Sequence, residues 1–285
     1  MERQDGKTAL VTGSTDGVGR VVAKTLGARG VRILVHGRDR ERGERVVAEI
    51  KAAGGSAEFL GADLSALAEV RRLAGAVQRA AGRLDLLVNN AGIGSGGAQG
   101  VRQTSADGYE LRFAVNYLAG FLLTDLLLPL IKQSAPARVV NVSSLGQQAI
   151  DFADVMLTRG YSGSRAYCQS KLAQIMFTID LAHELEGSGV TVNALHPATY
   201  MDTTMVRQSG VTPISSVEEG AEAILKLATS PELDGRSGLF FNGLREARAD
   251  TQAYDAEARQ RLKAASLKLV GPPSAETASA TRSVR

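Results

Sequence analysis

Tyr167 and Lys171 stand four residues apart inside a stretch whose apolar periodicity predicts a helix over 164–186. At that spacing both side chains share one helical face. A phenol with a pKa near 10 exchanges protons poorly at neutral pH. An ammonium group beside it favours the phenolate. The pair therefore suits general acid–base work on a reaction that makes or consumes an alkoxide, as hydride transfer to a carbonyl does. Upstream, an apolar run ends in Ser143-Ser144. A serine hydroxyl there would orient and polarise a substrate oxygen. By itself Tyr-x-x-x-Lys reads equally as a surface pair, so its surroundings decide.

The second chemical element is Gly13-Ser14-Thr15-Asp16-Gly17-Val18-Gly19, placed between an apolar run at 9–11 and helical spacing from Val21 onward. Strand, glycine turn and helix form the context of a dinucleotide-binding loop. Gly13 permits a tight turn, Gly17 lets backbone approach a pyrophosphate, and Gly19 allows close helix packing above free N–H groups. The predicted second strand ends in His36-Gly37-Arg38-Asp39. A residue just past that strand meets the adenosine ribose, where a carboxylate suits a free 2′-hydroxyl and an arginine a 2′-phosphate. Arg38 therefore favours NADP(H), with NAD(H) the alternative. Asp16, an acid in the loop, argues the other way.

Further along stand Asp63-Leu64 and Asn89-Asn90-Ala91-Gly92, each after a predicted strand. With the Thr-Gly-x-x-x-Gly-x-Gly loop, the Ser-Ser strand end and Tyr-x-x-x-Lys, they resemble the short-chain dehydrogenase/reductase family over about 7–245. The resemblance implies a Rossmann-type fold with Ser144, Tyr167 and Lys171 as catalytic residues, Ser143 being the competing serine. It also implies that the Asn116 carbonyl holds a water relaying protons to Lys171. It implies an Asp63 hydrogen bond to adenine, although a lone Asp would equally cap a helix. Asn90, Ala91, Gly92 and Pro197 would lie against the cofactor, with Leu64 beside Asp63. Two departures stand out. Pro197 is followed by Ala198 where the family commonly has Gly, with its threonine about one residue late. The connection 145–165 between serine and tyrosine is longer than usual, as in the retinol-dehydrogenase-like branch. Its apolar residues (Ile150, Phe152, Val155, Met156, Leu157) either wall a pocket for a large apolar substrate or pack the loop.

The elements that must position these groups follow from alternating apolar runs and amphipathic stretches. Strands are predicted near 9–11, 31–35, 57–60, 85–88, 138–142, 190–195 and 238–241, and helices over 40–53, 66–81, 107–132, 164–186, 216–229 and 253–269. Such alternation predicts an α/β fold, a doubly wound, mostly parallel sheet of seven strands with helices on both faces. One domain over 1–270 is expected, with a substrate loop at 198–216 and a disordered tail at 271–285.

Composition bounds the function. The 285 residues carry a net charge of +3 with interspersed acids and bases, which argues against nucleic acid. One cysteine, Cys168, excludes an intrachain disulfide, and three histidines without a ligand spacing argue against a metal site. The apolar stretch 113–131 is interrupted by Asn116, Asp125 and Pro129, so a buried helix is expected rather than a membrane span. No signal peptide is visible at 1–7, and a cytoplasmic location is expected. Related proteins pair through the helices at 113–131 and 164–186, so a homodimer or homotetramer is expected. The chemistry expected is hydride transfer between a nicotinamide and a carbonyl or secondary alcohol. Reduction of C=C or C=N on the same framework, or a non-catalytic cofactor-binding sensor, are the rivals.

Overall fold

A computed structural model describes residues 3–96 and 100–272. Eight strands form one sheet in the order β3-β2-β1-β4-β5-β6-β7-β8. They are β1 (Thr8–Val11), β2 (Arg32–Gly37), β3 (Ser56–Gly61), β4 (Leu86–Asn89), β5 (Ala137–Val142), β6 (Val190–His196), β7 (Phe240–Asn242) and β8 (Arg245–Ala247). The first seven pair in parallel and β8 is antiparallel to β7. The helices are α1 (Gly17–Ala28), α2 (Arg40–Ala52), α3 (Leu67–Ala80), α4 (Ala119–Gln133), α5 (Gly163–Glu184), α6 (Thr204–Gln208), α7 (Val217–Thr229) and α8 (Ala256–Val270).

Strand alternation sorts the apolar runs into two layers. Ala9, Val11, Ile33, Val35, Leu86, Val88, Val140 and Val142 meet α1, α2 and α7 on one face. Leu10, Leu34, Leu87 and Val139 meet α3, α4 and α5 on the other. Chain order reverses between β1 and β4, so a crevice opens beyond their carboxyl ends.

Three expectations change. The sheet has eight strands, not seven: Gly243, at φ +58°, takes the first central position of a two-residue turn and closes the β7–β8 hairpin. Asn242-Gly243 was the available signal. The helix predicted over 107–132 does not begin at Asp107. Thr104 and Glu110 form an isolated antiparallel bridge, and Asp107 Oδ2 instead accepts Leu67 N–H at 2.9 Å, at the start of α3. The helix then opens with a π-helical turn, Phe113–Leu118, before α4. The loop 198–216 contains α6, whose start Thr203 caps through Val206 N–H.

Phe113–Gln133 is apolar and long enough to cross a membrane, but 61% of its most apolar window is buried inside the fold. Its outer side, with α5, carries α8. Ser266 hydrogen-bonds the Tyr117 hydroxyl at 2.7 Å, Arg259 pairs with Asp180 at 3.1 Å, and the Tyr109 hydroxyl donates to Leu269 O at 2.8 Å. The helices expected to pair two copies are thus packed against a helix of their own chain. Of the predicted tail, residues 273–285 lie outside the described residues.

Candidate active site

The glycine loop is held open from below by side chains. His36 Nδ1 accepts Gly13 N–H at 3.1 Å, and Ser14 Oγ accepts His36 N–H at 3.0 Å. Asn90 Nδ2 donates to Thr12 O at 2.8 Å and to Gly13 O at 3.2 Å, while Thr12 Oγ1 accepts the N–H groups of Asn90 and Ala91. This network needs glycine. Gly13 (φ +67°) and Gly17 (φ +52°) hold a conformation that side chains disfavour. A Cβ on Gly13 would lie 2.9 Å from Ala91 Cα, and one on Gly19 would run into Gly13 O and Asn90 Nδ2. Gly19 therefore fits against the loop itself rather than only the strand. The floor is bare backbone with a helix N-terminus behind it, which fits a pyrophosphate.

At the adenosine end Arg38 is largely exposed, 3.9 Å from Asp63. Asp63 also accepts Ser65 N–H at 2.9 Å, so it closes a turn and does not cap α3. Asp16 caps α1 through Gly17 N–H at 2.8 Å, accepts the Thr204 hydroxyl at 2.9 Å, and lies 3.6 Å from Arg42 Nη1. Its charge is thus engaged, and Arg42, a cation the sequence reading passed over, faces the same end. Val18 and Leu64 are buried in the core, so only their backbone can face a ligand. Thr15 packs on Gly37.

At the other end Ser144, Tyr167 and Lys171 come together with Gly92 and Asn116. Ser143 Oγ turns away to donate to Lys171 O at 2.7 Å, whereas the Ser144 hydroxyl accepts Gly146 N–H at 3.0 Å and lies with the Tyr167 ring against Gly146. This distinguishes the two serines. Lys171 Nζ lies 5.8 Å from the centre of the Tyr167 ring, and would sit 3.6 Å from a Cβ on Gly92. Burial lowers Lys171 from 10.5 to about 7. The same burial raises the Tyr167 phenol, with the neighbouring Ser144 hydroxyl pulling the other way. The phenol is therefore not lowered by its surroundings in this structure; desolvation outweighs them. Asn116, in the π-helical turn, clamps the segment after Gly92. Its Oδ1 accepts Ile93 N–H at 2.7 Å, and its Nδ2 donates to Ile93 O at 3.1 Å and Ser170 Oγ at 3.0 Å.

The loops beyond bear side chains that sequence reasoning missed. Arg112 and Glu110 are buried together: Arg112 donates to Gly94 O, Ser95 O and the Tyr161 hydroxyl, and Tyr161 donates to Glu110 Oε1 at 2.9 Å. This ties the connection 145–165 to the segment after Gly92. Pro197 is buried at the end of β6. Beyond it Thr203 lies on Gly17 and Met205 on Gly94, so α6 lies across the crevice. The apolar residues of 145–165 mostly pack the fold: Ile150 and Leu157 enter the core, and Arg261 covers Phe152 at 4.6 Å. In the loops after Ser144 and Pro197 the exposed large apolar side chains are Leu145, Tyr200, Met205 and Ile214. No group of three or more His, Cys, Asp or Glu suited to a metal occurs among the described residues.

Comparison with known proteins agrees with this geometry. Human retinol dehydrogenase 13 is 39% identical over 93% of this chain and 85% of its own length. Mouse polyprenol dehydrogenase is 38% identical over 94% and 85%. The structure of a Pseudomonas aeruginosa RhlG/NADP active-site complex superposes with a TM-score of 0.70 at 30% identity, covering 84% of this chain and 95% of that one. The family model for short chain dehydrogenases matches residues 7–213. With the glycine floor and the Ser144, Tyr167 and Lys171 cluster at two ends of one crevice, the chain belongs to the short chain dehydrogenase family and is an oxidoreductase.

Proposed function

We propose that this enzyme transfers hydride between NADP(H) and a carbonyl or alcohol carbon on a large, mostly apolar substrate, with Tyr167 as its acid–base. The observation that carries the reading is the Ser144 hydroxyl and the Tyr167 ring side by side against Gly146, with Lys171 Nζ 5.8 Å from the ring centre. The backbone from Gly13 to Gly19 would hold the pyrophosphate and Asn90 to Gly92 the nicotinamide ribose. Asp63 would meet the adenine, Arg38 the 2′-phosphate, and Pro197 the nicotinamide side. When bound, the nicotinamide supplies or accepts the hydride.

Ser144 orients the substrate oxygen, and Tyr167 gives the developing alkoxide its proton in reduction or removes one in oxidation. Because burial works against the phenolate, the charge on Lys171 is what must offset it. Asn116 keeps the segment after Gly92 in place and, through its carbonyl, would hold a water leading to Lys171. Arg38, with Asp16 engaged elsewhere, supports NADPH and hence reduction. The names retinol and polyprenol dehydrogenase support an apolar alcohol or its carbonyl product as substrate. The exposed Leu145, Tyr200, Met205 and Ile214 support it too.

The test is oxidation of NADPH and NADH by the purified protein over a panel of ketones and aldehydes graded in apolar size, with Tyr167→Phe beside it. The expected result is NADPH-dependent turnover that rises with apolar size and falls at least about 100-fold in Tyr167→Phe. Undiminished turnover in that variant would remove Tyr167 from the chemistry, and a preference for NADH would remove Arg38 from cofactor selection.

A further inference from the structure

Lys171 is buried, and its Nζ donates to two neutral oxygens: Val142 O at 2.9 Å and Gln174 Oε1 at 3.0 Å. Gln174 is buried one turn further along α5. It is anchored through its own backbone. Thr178 Oγ1 donates to Gln174 O at 2.8 Å, Asn141 Nδ2 donates to Thr178 Oγ1 at 2.8 Å, and Asn89 Nδ2 donates to Asn141 Oδ1 at 2.8 Å. A buried polar chain thus runs from β4 and β5 to the residue that holds the lysine. Of the titratable groups, His196 at the end of β6 acts on Lys171, and Cys168 on α5 and Tyr200 in the loop beyond β6 act on Tyr167. No carboxylate is among them.

The absence of a carboxylate has a physical consequence. An anion at 3 Å would keep the lysine charged but cancel its field at the phenol. An amide oxygen stabilises the ammonium through a dipole and leaves a net positive charge. We propose that Gln174 is a positioning residue: its side-chain carbonyl, with that of Val142, holds the Lys171 ammonium beside Tyr167 with its charge uncancelled. This role rests on the acid–base reading of Tyr167.

The test is the pH dependence of kcat/KM for oxidation of the best alcohol of the panel with NADP, in Gln174→Met and Gln174→Glu. In this direction Tyr167 must be deprotonated, so the rate falls on the acid side. Methionine removes the acceptor, Lys171 loses its proton more readily, and the phenolate loses its support. Glutamate keeps the acceptor and the volume but cancels the charge. Each substitution moves the acid limb to higher pH by about one unit, so the rate at a fixed pH below it falls about tenfold, and the variants approach wild type at high pH. KM for the alcohol stays unchanged. A packing role alone lowers the rate without moving the limb. Far-ultraviolet circular dichroism identifies folded variants, and the near-isosteric Gln174→Glu serves if Gln174→Met does not fold. An unmoved limb, with Tyr167→Phe inactive, overturns the role of Gln174 alone. An active Tyr167→Phe overturns the reading on which it rests.

Discussion

The β1–β4 half of the sheet makes its binding surface from backbone, whereas the β5–β8 half makes its surface from side chains drawn from distant parts of the chain. In the first half, Gly13, Gly19 and Gly92 leave peptide groups bare, and His36, Thr12 and Asn90 pin them from within the same half. In the second, Gln147 spans from Ser144 O to Asp250 N–H, and Gln252 brackets both backbone groups of Ile150. Arg259 joins α8 to Asp180. A cofactor shared by many enzymes can be met by backbone, whose geometry does not depend on side-chain identity. Side chains drawn from distant parts of the chain suit recognition of one particular substrate, and here they are tied to the C-terminal segment. The lysine lies where the halves meet, and burial works against its charge.

The comparison can be broken in order of expected effect. Lys171→Met is expected to lower turnover about 100-fold or more while the melting temperature holds or rises. Lys171 has its folded value lowered to about 7 from 10.5. Between those values the unfolded chain binds a proton that the folded chain lacks, so wild-type stability climbs with pH across that window and the slope is absent in the variant. Urea unfolding at several pH values checks this; a lower stability of the variant across the window contradicts a buried charge. Gly13→Ala brings strain at positive φ and a contact on Ala91, together about 1–3 kcal/mol. Calorimetric titration should show weakened binding of 2′,5′-ADP, and unchanged binding would mean that the floor is not backbone.

Gln252→Ala leaves the Ile150 peptide groups unpartnered, at about 1–3 kcal/mol of stability. The cofactor dissociation constant should not move; if it does, the halves are not separable. Arg38→Ala is expected to shrink the NADPH over NADH preference about tenfold, measured as a ratio of kcat/KM, with Arg42 retaining part of it. Finally, since α8 covers the face of α4 and α5, sedimentation should find a monomer where the family resemblance led to a dimer or tetramer. A dimer would require α8 to move or another face to pair.

The sequence by itself determined the order of seven of the eight strands, the parallel sheet and the positions of the glycine floor and of Ser144, Tyr167 and Lys171. Each of these is encoded locally: strand alternation, a positive-φ turn, or two side chains on one helical face is complete within a few residues. Tertiary structure decided what depends on pairs far apart in the chain. It turned the Ser143 hydroxyl onto α5, engaged Asp16 through Thr204 and Arg42, and buried Ile150 and Leu157. It laid α8 over α4 and α5 and placed Gln174 on the lysine. It also set the sign of the Tyr167 shift. Burial is a property of everything packed around a group, and no spacing along the chain records how much water the fold removes.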